Sequence, residues 1–427
     1  MLSSATSEEL SFRWLWAGST LNLYIEQYIS FAIPLLLVSR TGTSVELGQF
    51  VTFLFFVPYL AFGLNAGVWL EGRSHKRSLI LSSAVQAILI ALLLIPLLSG
   101  SDSPFPYVAF TLAAGTAAVF FQVSFQSILP AIFNERPKLY GANSRLALSD
   151  ALMRIIGPAS AGILVGWLQP GSSTTLVLLL ALLGTLAFLP VRSAGPAEAN
   201  SIKRDVRTRT LLLEGLNFVS SHKWLNPIIF CGAYYIVSVT AIKVTIPLYL
   251  VESGKASAAQ AGILIAIIAA GYALGSAIGK KMATAIGART TLQLGAILAT
   301  IGIAGAAMAT TFIDSSAVWV SGVFLALHGV GDGMFAPTAL SVRQISTPPD
   351  LMARVTAVHR FFIWGGMSLG GLVAAAATFL GGPEIALILT GVCVWGTLPI
   401  LYRRNFTLTS SGEAHERDPE MALRDAQ

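Results

Sequence analysis

The chain has 427 residues, of which 54% are hydrophobic and only 11% charged, against about 25% charged in an ordinary soluble domain, so a water-facing surface cannot be built from it. Its formal charge of +6 and pI near 9.4 come from short basic clusters set between long apolar runs, which is a topology signal and excludes a nucleic-acid-binding face. The two cysteines, Cys231 and Cys393, lie far apart inside apolar segments, so no disulfide framework is indicated.

In chain order, residues 1–13 are polar and run straight into the first apolar stretch with no cleavage site of small residues. That reading leaves no signal peptide, and the first span serves as its own targeting signal. Apolar runs then fall at residues 14–38, 46–70, 78–99, 105–131, 150–168, 173–191, 226–250, 260–282, 290–312, 316–343, 355–380 and 384–402. A helix of roughly 20 residues crosses a hydrocarbon core of about 30 Å. Backbone groups in lipid must be satisfied within the segment, and the alternation of a β-barrel is absent, so helices follow. The sequence therefore predicts an all-α integral membrane protein with twelve transmembrane helices in two six-helix pseudo-repeat bundles.

Lys and Arg gather on alternate loops, among them Arg73, Lys76, Arg77, Lys280, Lys281, Arg403 and Arg404, while Arg40 and Lys255 fall on the other side. By the positive-inside rule both termini are cytoplasmic, with the chain multi-pass in the cell inner (plasma) membrane. A long polar stretch divides the runs six and six. The expected organisation is an N-terminal six-helix bundle at 1–191, a cytoplasmic linker at 192–225, a C-terminal six-helix bundle at 226–404 and a disordered cytoplasmic tail at 405–427, too short and polar to bury a core. Within the linker, residues 211–224 have the pattern of an interfacial amphipathic helix. Two six-helix halves joined by a basic linker form the layout of transporters built around a central cavity, and a faint repeat relates 126–166 to 343–373.

Ionisable groups in mid-span are expensive and need a reason. Counting about 1.5 Å per residue, Glu26 and Asp332 lie near mid-membrane, about 18 Å from the cytoplasmic helix ends, with Lys243 and His328 a turn or more further out. Glu26, Asp332 and His328 are the proton-coupling candidates, and His328 and Asp332, four apart, share a helix face. Each also has a structural alternative: an internal pair for the acids and the histidine, snorkelling for Lys243. Asn22, Gln27, Gln122, Gln126, Tyr234, Tyr235, Lys243 and Trp364 are the substrate-binding candidates, at plausible cavity depths. Near the inner surface Asp150 and Arg154, four apart, read as a gate pair, with Arg145, Arg343, Arg354 and Arg360 available to acids or helix ends. No metal-ligand spacing and no nucleophile beside a base is present, so neither an enzyme nor a cofactor or metal site is expected.

Four stretches carry a resemblance. These are FRWLWAGSTLNLYIEQYISFAIPLLL at 12–37 with its single acid Glu26, GVWLEGRSHKR at 67–77, GANSRLALSDALMRIIGPASAGILVG at 141–166, and SVRQISTPPDLMARVTAVHRFFIWGG at 341–366. Over nearly the whole chain they resemble the major facilitator superfamily, in the branch of drug:proton antiporters, macrolide efflux proteins and enterobactin-type siderophore exporters. The resemblance implies the major facilitator fold and a gate built from Gly67, Glu71, Arg73, Arg77, Asp150, Arg154, Gly157, Pro158 and Gly162. Gly72 stands where the family usually has Arg, and residues 110–122 lack the intramembrane Arg of many proton antiporters. It further implies a monomer in the lipid bilayer that exports amphipathic small molecules, whether drugs, siderophores or natural products, in exchange for protons by alternating access. An importer or uniporter of a small nutrient has the same fold and is the alternative.

Overall fold

The computed structural model describes residues 2–40, 42–62, 74–133, 135–192, 208–314, 316–348 and 351–402. No strand occurs among them. The chain divides into two compact units, Met1–Asp205 with Ser257–Ile263, and Val206–Ala256 with Leu264–Gln427.

The first unit contains α1 (Leu2–Arg40), α2 (Val45–Phe62), α3 (His75–Leu98), α4 (Phe105–Ser127), α5 (Arg136–Trp167) and α6 (Pro170–Ala187). Three of these start at prolines, with Pro106, Pro137 and Pro170 in the first two positions, where the missing N–H has no intrahelical partner to lose. Lys76 at the start of α3 donates to the Leu189 carbonyl at 2.7 Å. A cation thereby lies against the carbonyl end of α6, where the helix dipole favours it.

Two helices outrun their expected spans. The 39 residues of α1 measure about 58 Å at 1.5 Å each, so its first turns project beyond the hydrocarbon. There Glu8 meets Lys138 at 3.2 Å and Glu9 meets Arg145 at 3.3 Å, on an α5 that begins at Arg136 rather than near 150. The apolar run marks where lipid begins, not where helical hydrogen bonding ends.

The second unit holds α7 (Thr208–Ser221), α8 (Leu225–Glu252), α9 (Ala258–Ala285) from Leu264 onward, α10 (Ala288–Phe312), α11 (Ala317–Ser346), α12 (Met352–Cys393) and α13 (Thr397–Leu401). The expected linker helix exists as α7, tied to α12 by a 2.7 Å ion pair between Glu214 and Arg354. Ser257 and Gln260 close a reciprocal capping box at the start of α9, at 2.8 and 3.2 Å, satisfying two N–H groups the helix cannot reach.

Eleven helices among the described residues are long and apolar enough to cross a membrane. The last, Arg354–Leu401, has 48 residues, or about 72 Å as a single rod, more than twice a bilayer core of about 30 Å. It is not a single rod. Gly382 inside it has φ 88° and ψ 166°, backbone open essentially to glycine alone, and Pro383 follows. Eleven candidates with one broken in two make the twelve spans of the sequence reading.

The surface is inverted relative to a soluble protein. Trp167 is 80% and Leu380 83% exposed, with Leu81, Trp319 and Phe379 also outward, while Ser19, Gln49, Thr300 and Ser368 are wholly enclosed. Lipid provides no incentive to hide leucine, but it does penalise an outward-facing hydroxyl or amide.

Candidate functional site

In the first unit the polar centre is Glu26 on α1. Its Oε2 accepts a hydrogen bond from Gln122 Nε2 on α4 at 2.8 Å, and its Oε1 a longer one from the Tyr59 hydroxyl on α2 at 3.4 Å. Arg154 and Asp150 on α5 act on the carboxyl group through space, and are themselves paired at 3.1 Å. The acid is thus held by donors from two neighbouring helices and lies in the field of a third. Gln122 was anticipated as a substrate contact. Tyr59 was not anticipated, and its only signal in the sequence is a hydroxyl-bearing ring beside Pro58 in an otherwise apolar run.

The helices come together here because α1 is keyed to its neighbours. At Gly157, an added Cβ would lie 2.5 Å from the Gln27 Cβ and 3.3 Å from the Tyr28 nitrogen, so only a bare backbone lets α5 approach α1 this closely. Tyr24 and Ser160 share a hydrogen bond at 3.0 Å, and Trp16 Nε1 donates to Ser149 at 2.7 Å, joining the same two helices. Pro158 lies inside α5, and the backbone of Gly162 faces that of Gly262, both in the first unit.

Asn22 is 3% exposed. Its amide nitrogen donates to the Gly18 carbonyl and its oxygen accepts from Ser83 on α3, both at 3.0 Å, so both ends of the side chain bind within the bundle. Gly67, Glu71 and Arg73 lie outside the described residues, as does the side chain of Gln126, while Arg77 donates its backbone N–H to the Ser74 hydroxyl that caps α3, at 3.4 Å.

The second unit gathers four of the remaining candidates. His328 on α11 is 1% exposed, and its Nδ1 lies 2.9 Å from the Tyr235 hydroxyl on α8 and 3.3 Å from the Ala299 carbonyl oxygen on α10. With a proton on Nδ1 the ring donates to one of those oxygens, and without it the ring accepts from the tyrosine. Lys243 acts on His328 through space, and Asp332 on Tyr235. The hydroxyl at Nδ1 comes from Tyr235, 93 positions away, while Asp332, four residues on, shares the helix face of His328.

Tyr234, next in the chain to Tyr235, donates to the Cys393 carbonyl at 2.8 Å. Cys393 precedes the tight turn Val394–Gly396, where α-helical bonding lapses, and a carbonyl released at membrane depth needs a donor. Trp364 lies on α12 under the Arg360 guanidinium, 5.7 Å from ring centroid to Cζ. Among the described residues no group of three His, Cys, Asp or Glu side chains is placed to hold a metal ion.

The pattern of the Major Facilitator Superfamily matches residues 15–371. No curated protein sequence matches the chain. Among solved structures, a bacterial homologue of the iron transporter ferroportin in the inward-facing state superposes with a TM-score of 0.66 at 15% identity, covering 91% of this chain and 98% of that one. The nucleoside transporter NupG superposes at 0.72 and 10% identity, covering 91% and 99%. The human organic anion transporter MFSD10 superposes at 0.62 and 15%, covering 92% and 99%. At these identities the superpositions show a shared fold, while the sequence pattern spans most of the chain. This twelve-span, multi-pass membrane protein belongs to the Major Facilitator Superfamily of transporters.

Proposed function

We propose that this transporter is a proton-coupled exporter of amphipathic small molecules, drugs, siderophores or natural products, working as a monomer in the cell inner membrane by alternating access with both termini cytoplasmic. The observation that carries the reading is Glu26, a lone acid in the middle of α1, hydrogen-bonded by Gln122 and Tyr59 from two other helices. A carboxyl group within a span that exchanges polar partners as its surroundings open to water is suited to trade a proton for substrate. Asp332 and His328 form the second proton-handling group, with Tyr235 as relay. Gln27, Gln122, Tyr235, Lys243 and Trp364 supply the polar and aromatic substrate contacts. Asp150 and Arg154, adjacent to Glu26 in electrostatic terms, couple the acid to gate movement, with Gly157, Pro158 and Gly162 on the same helix. The resemblance of residues 141–166 to antiporters supports export over import.

The test is transport in proteoliposomes under an imposed pH gradient, with a panel of cationic drugs and siderophores as substrates. Glu26→Gln is expected to abolish gradient-driven transport while leaving counterflow exchange and the folded state intact. Gradient-driven transport unchanged in E26Q refutes proton coupling at this acid, and uptake driven in the opposite sense establishes the importer. Cysteine tagging of residues 192–225 checks the orientation, and labelling from the exterior face refutes it.

A further inference from the structure

Arg343, within the last turn of α11, is 8% exposed and its Nε has no hydrogen-bond partner. His359 and Arg360, on α12, lie within electrostatic reach. Among the described residues the charged groups acting on His359 are Arg343 and Arg360, and the one acting on Arg343 is Arg360. Glu214 on α7 is held by Arg354 on α12 at 2.7 Å. The Arg360 guanidinium lies over the Trp364 ring, 5.7 Å from its centroid. Two guanidinium groups and an imidazole therefore lie in one another's field, Arg343 buried and His359 and Arg360 partly exposed. A buried guanidinium with an unmet N–H is strongly unfavourable without an anion beside it, and an orphaned buried donor of this kind marks an unseen partner.

We propose that Arg343, His359 and Arg360 form a binding site for a phosphate-type anion, an inference independent of the export reading. The planar fork of arginine matches two oxygens of a phosphate, and an imidazole N–H supplies a third donor. The depth agrees. Arg343 is about 4.5 Å along the helix axis from the end of α11 at Ser346, and His359 about 10 Å from the start of α12 at Met352. Both lie within about two turns of a helix end, the part of a spanning helix nearest the headgroup layer. A lipid phosphate and a soluble phosphate both reach this depth, and they share the chemistry the three side chains recognise.

Full-length protein in a neutral detergent separates the sources when titrated with phosphatidylglycerol, phosphatidylcholine or inorganic phosphate, with binding read by native mass spectrometry and thermal unfolding. Phosphatidylglycerol is expected to bind and raise the unfolding temperature more than phosphatidylcholine. Arg343→Gln and His359→Gln should each weaken that binding about tenfold, the loss of one charge-assisted hydrogen bond, while Lys223→Gln, at an exposed position, leaves it unchanged. Inorganic phosphate reproducing the effect identifies a soluble anion as the occupant, whereas silence from inorganic phosphate identifies a lipid headgroup. If R343Q fails to fold, H359Q decides alone. Equal binding of both lipids with no response to phosphate, or anion binding by the variants equal to that of the native protein, overturns the proposal.

Discussion

Replacing Gln122 by Leu removes the Nε2 donor 2.8 Å from Glu26 Oε2 and keeps most of the side-chain volume. Hydrogen bonds between transmembrane helices average about 0.6 kcal/mol in double-mutant cycles and reach about 1.7 kcal/mol, and an ionised acceptor places a bond at the upper end. The coupling between Q122L and E26L, neither of which leaves a hydrogen-bonding group, is therefore about 1.5 kcal/mol with Glu26 ionised and about 0.5 kcal/mol once it is protonated, when a neutral pair remains. The sign follows from the chemistry. A donor that favours the carboxylate contributes at pH above the titration of Glu26, and its excess contribution disappears as pH falls through that titration. The 3.4 Å contact from Tyr59 is too long to take over, so Tyr59→Phe should change the coupling by less than about 0.5 kcal/mol. Equilibrium unfolding of the four proteins in lipid–detergent bicelles, at high and at low pH, measures the cycle. A coupling near zero at both pH values, with helical content intact, refutes the bond and removes the geometric basis for a poised acid on α1.

The remaining predictions concern two glycines and a control. Gly157→Ala, which brings a Cβ within 2.5 Å of the Gln27 Cβ, is expected to destabilise by about 1–3 kcal/mol in thermal unfolding, whereas Gly141→Ala on the same helix meets nothing within 4 Å and should be neutral or stabilising by up to about 1 kcal/mol; equal effects at the two sites exclude close approach as the reason for Gly157. Gly382→Ala forces a side chain into φ 88°, ψ 166° and is expected to cost about 1–3 kcal/mol, with no loss of stability showing that the two final spans tolerate another junction.

The twelve spans and their chain order were legible in the sequence because hydropathy over about 20 residues reports the cost of exposing backbone and charge to lipid. The break at Gly382 was legible too, since Gly381, Gly382 and Pro383 interrupt an otherwise continuous apolar run. The projecting ends of α1 and α5 were not, because salt-bridged helix in the headgroup layer looks like polar loop to a hydropathy scale. Glu26 stood out as a single charge in oil. Its partners did not, since Gln122 and Tyr59 lie 96 and 33 positions away and nothing local encodes which helix packs beside which. His328 shows the same limit: spacing offers a neighbour on its own helix, and only tertiary packing adds Tyr235 from another. Asn22 shows the converse, a polar residue at cavity depth whose two hydrogen-bonding ends are both engaged within its own bundle.

The first helix is fastened on every side: to α5 through Gly157 and two hydroxyl contacts, to α3 through Asn22, and to α2 and α4 through the carboxyl group of Glu26. A rod pinned in this manner has no freedom to slip or rotate alone, for each displacement would break contacts on several flanks together. Whatever event alters the wetness around its acid must carry these five cylinders as one body, so a crosslink between α1 and α5 should leave turnover intact.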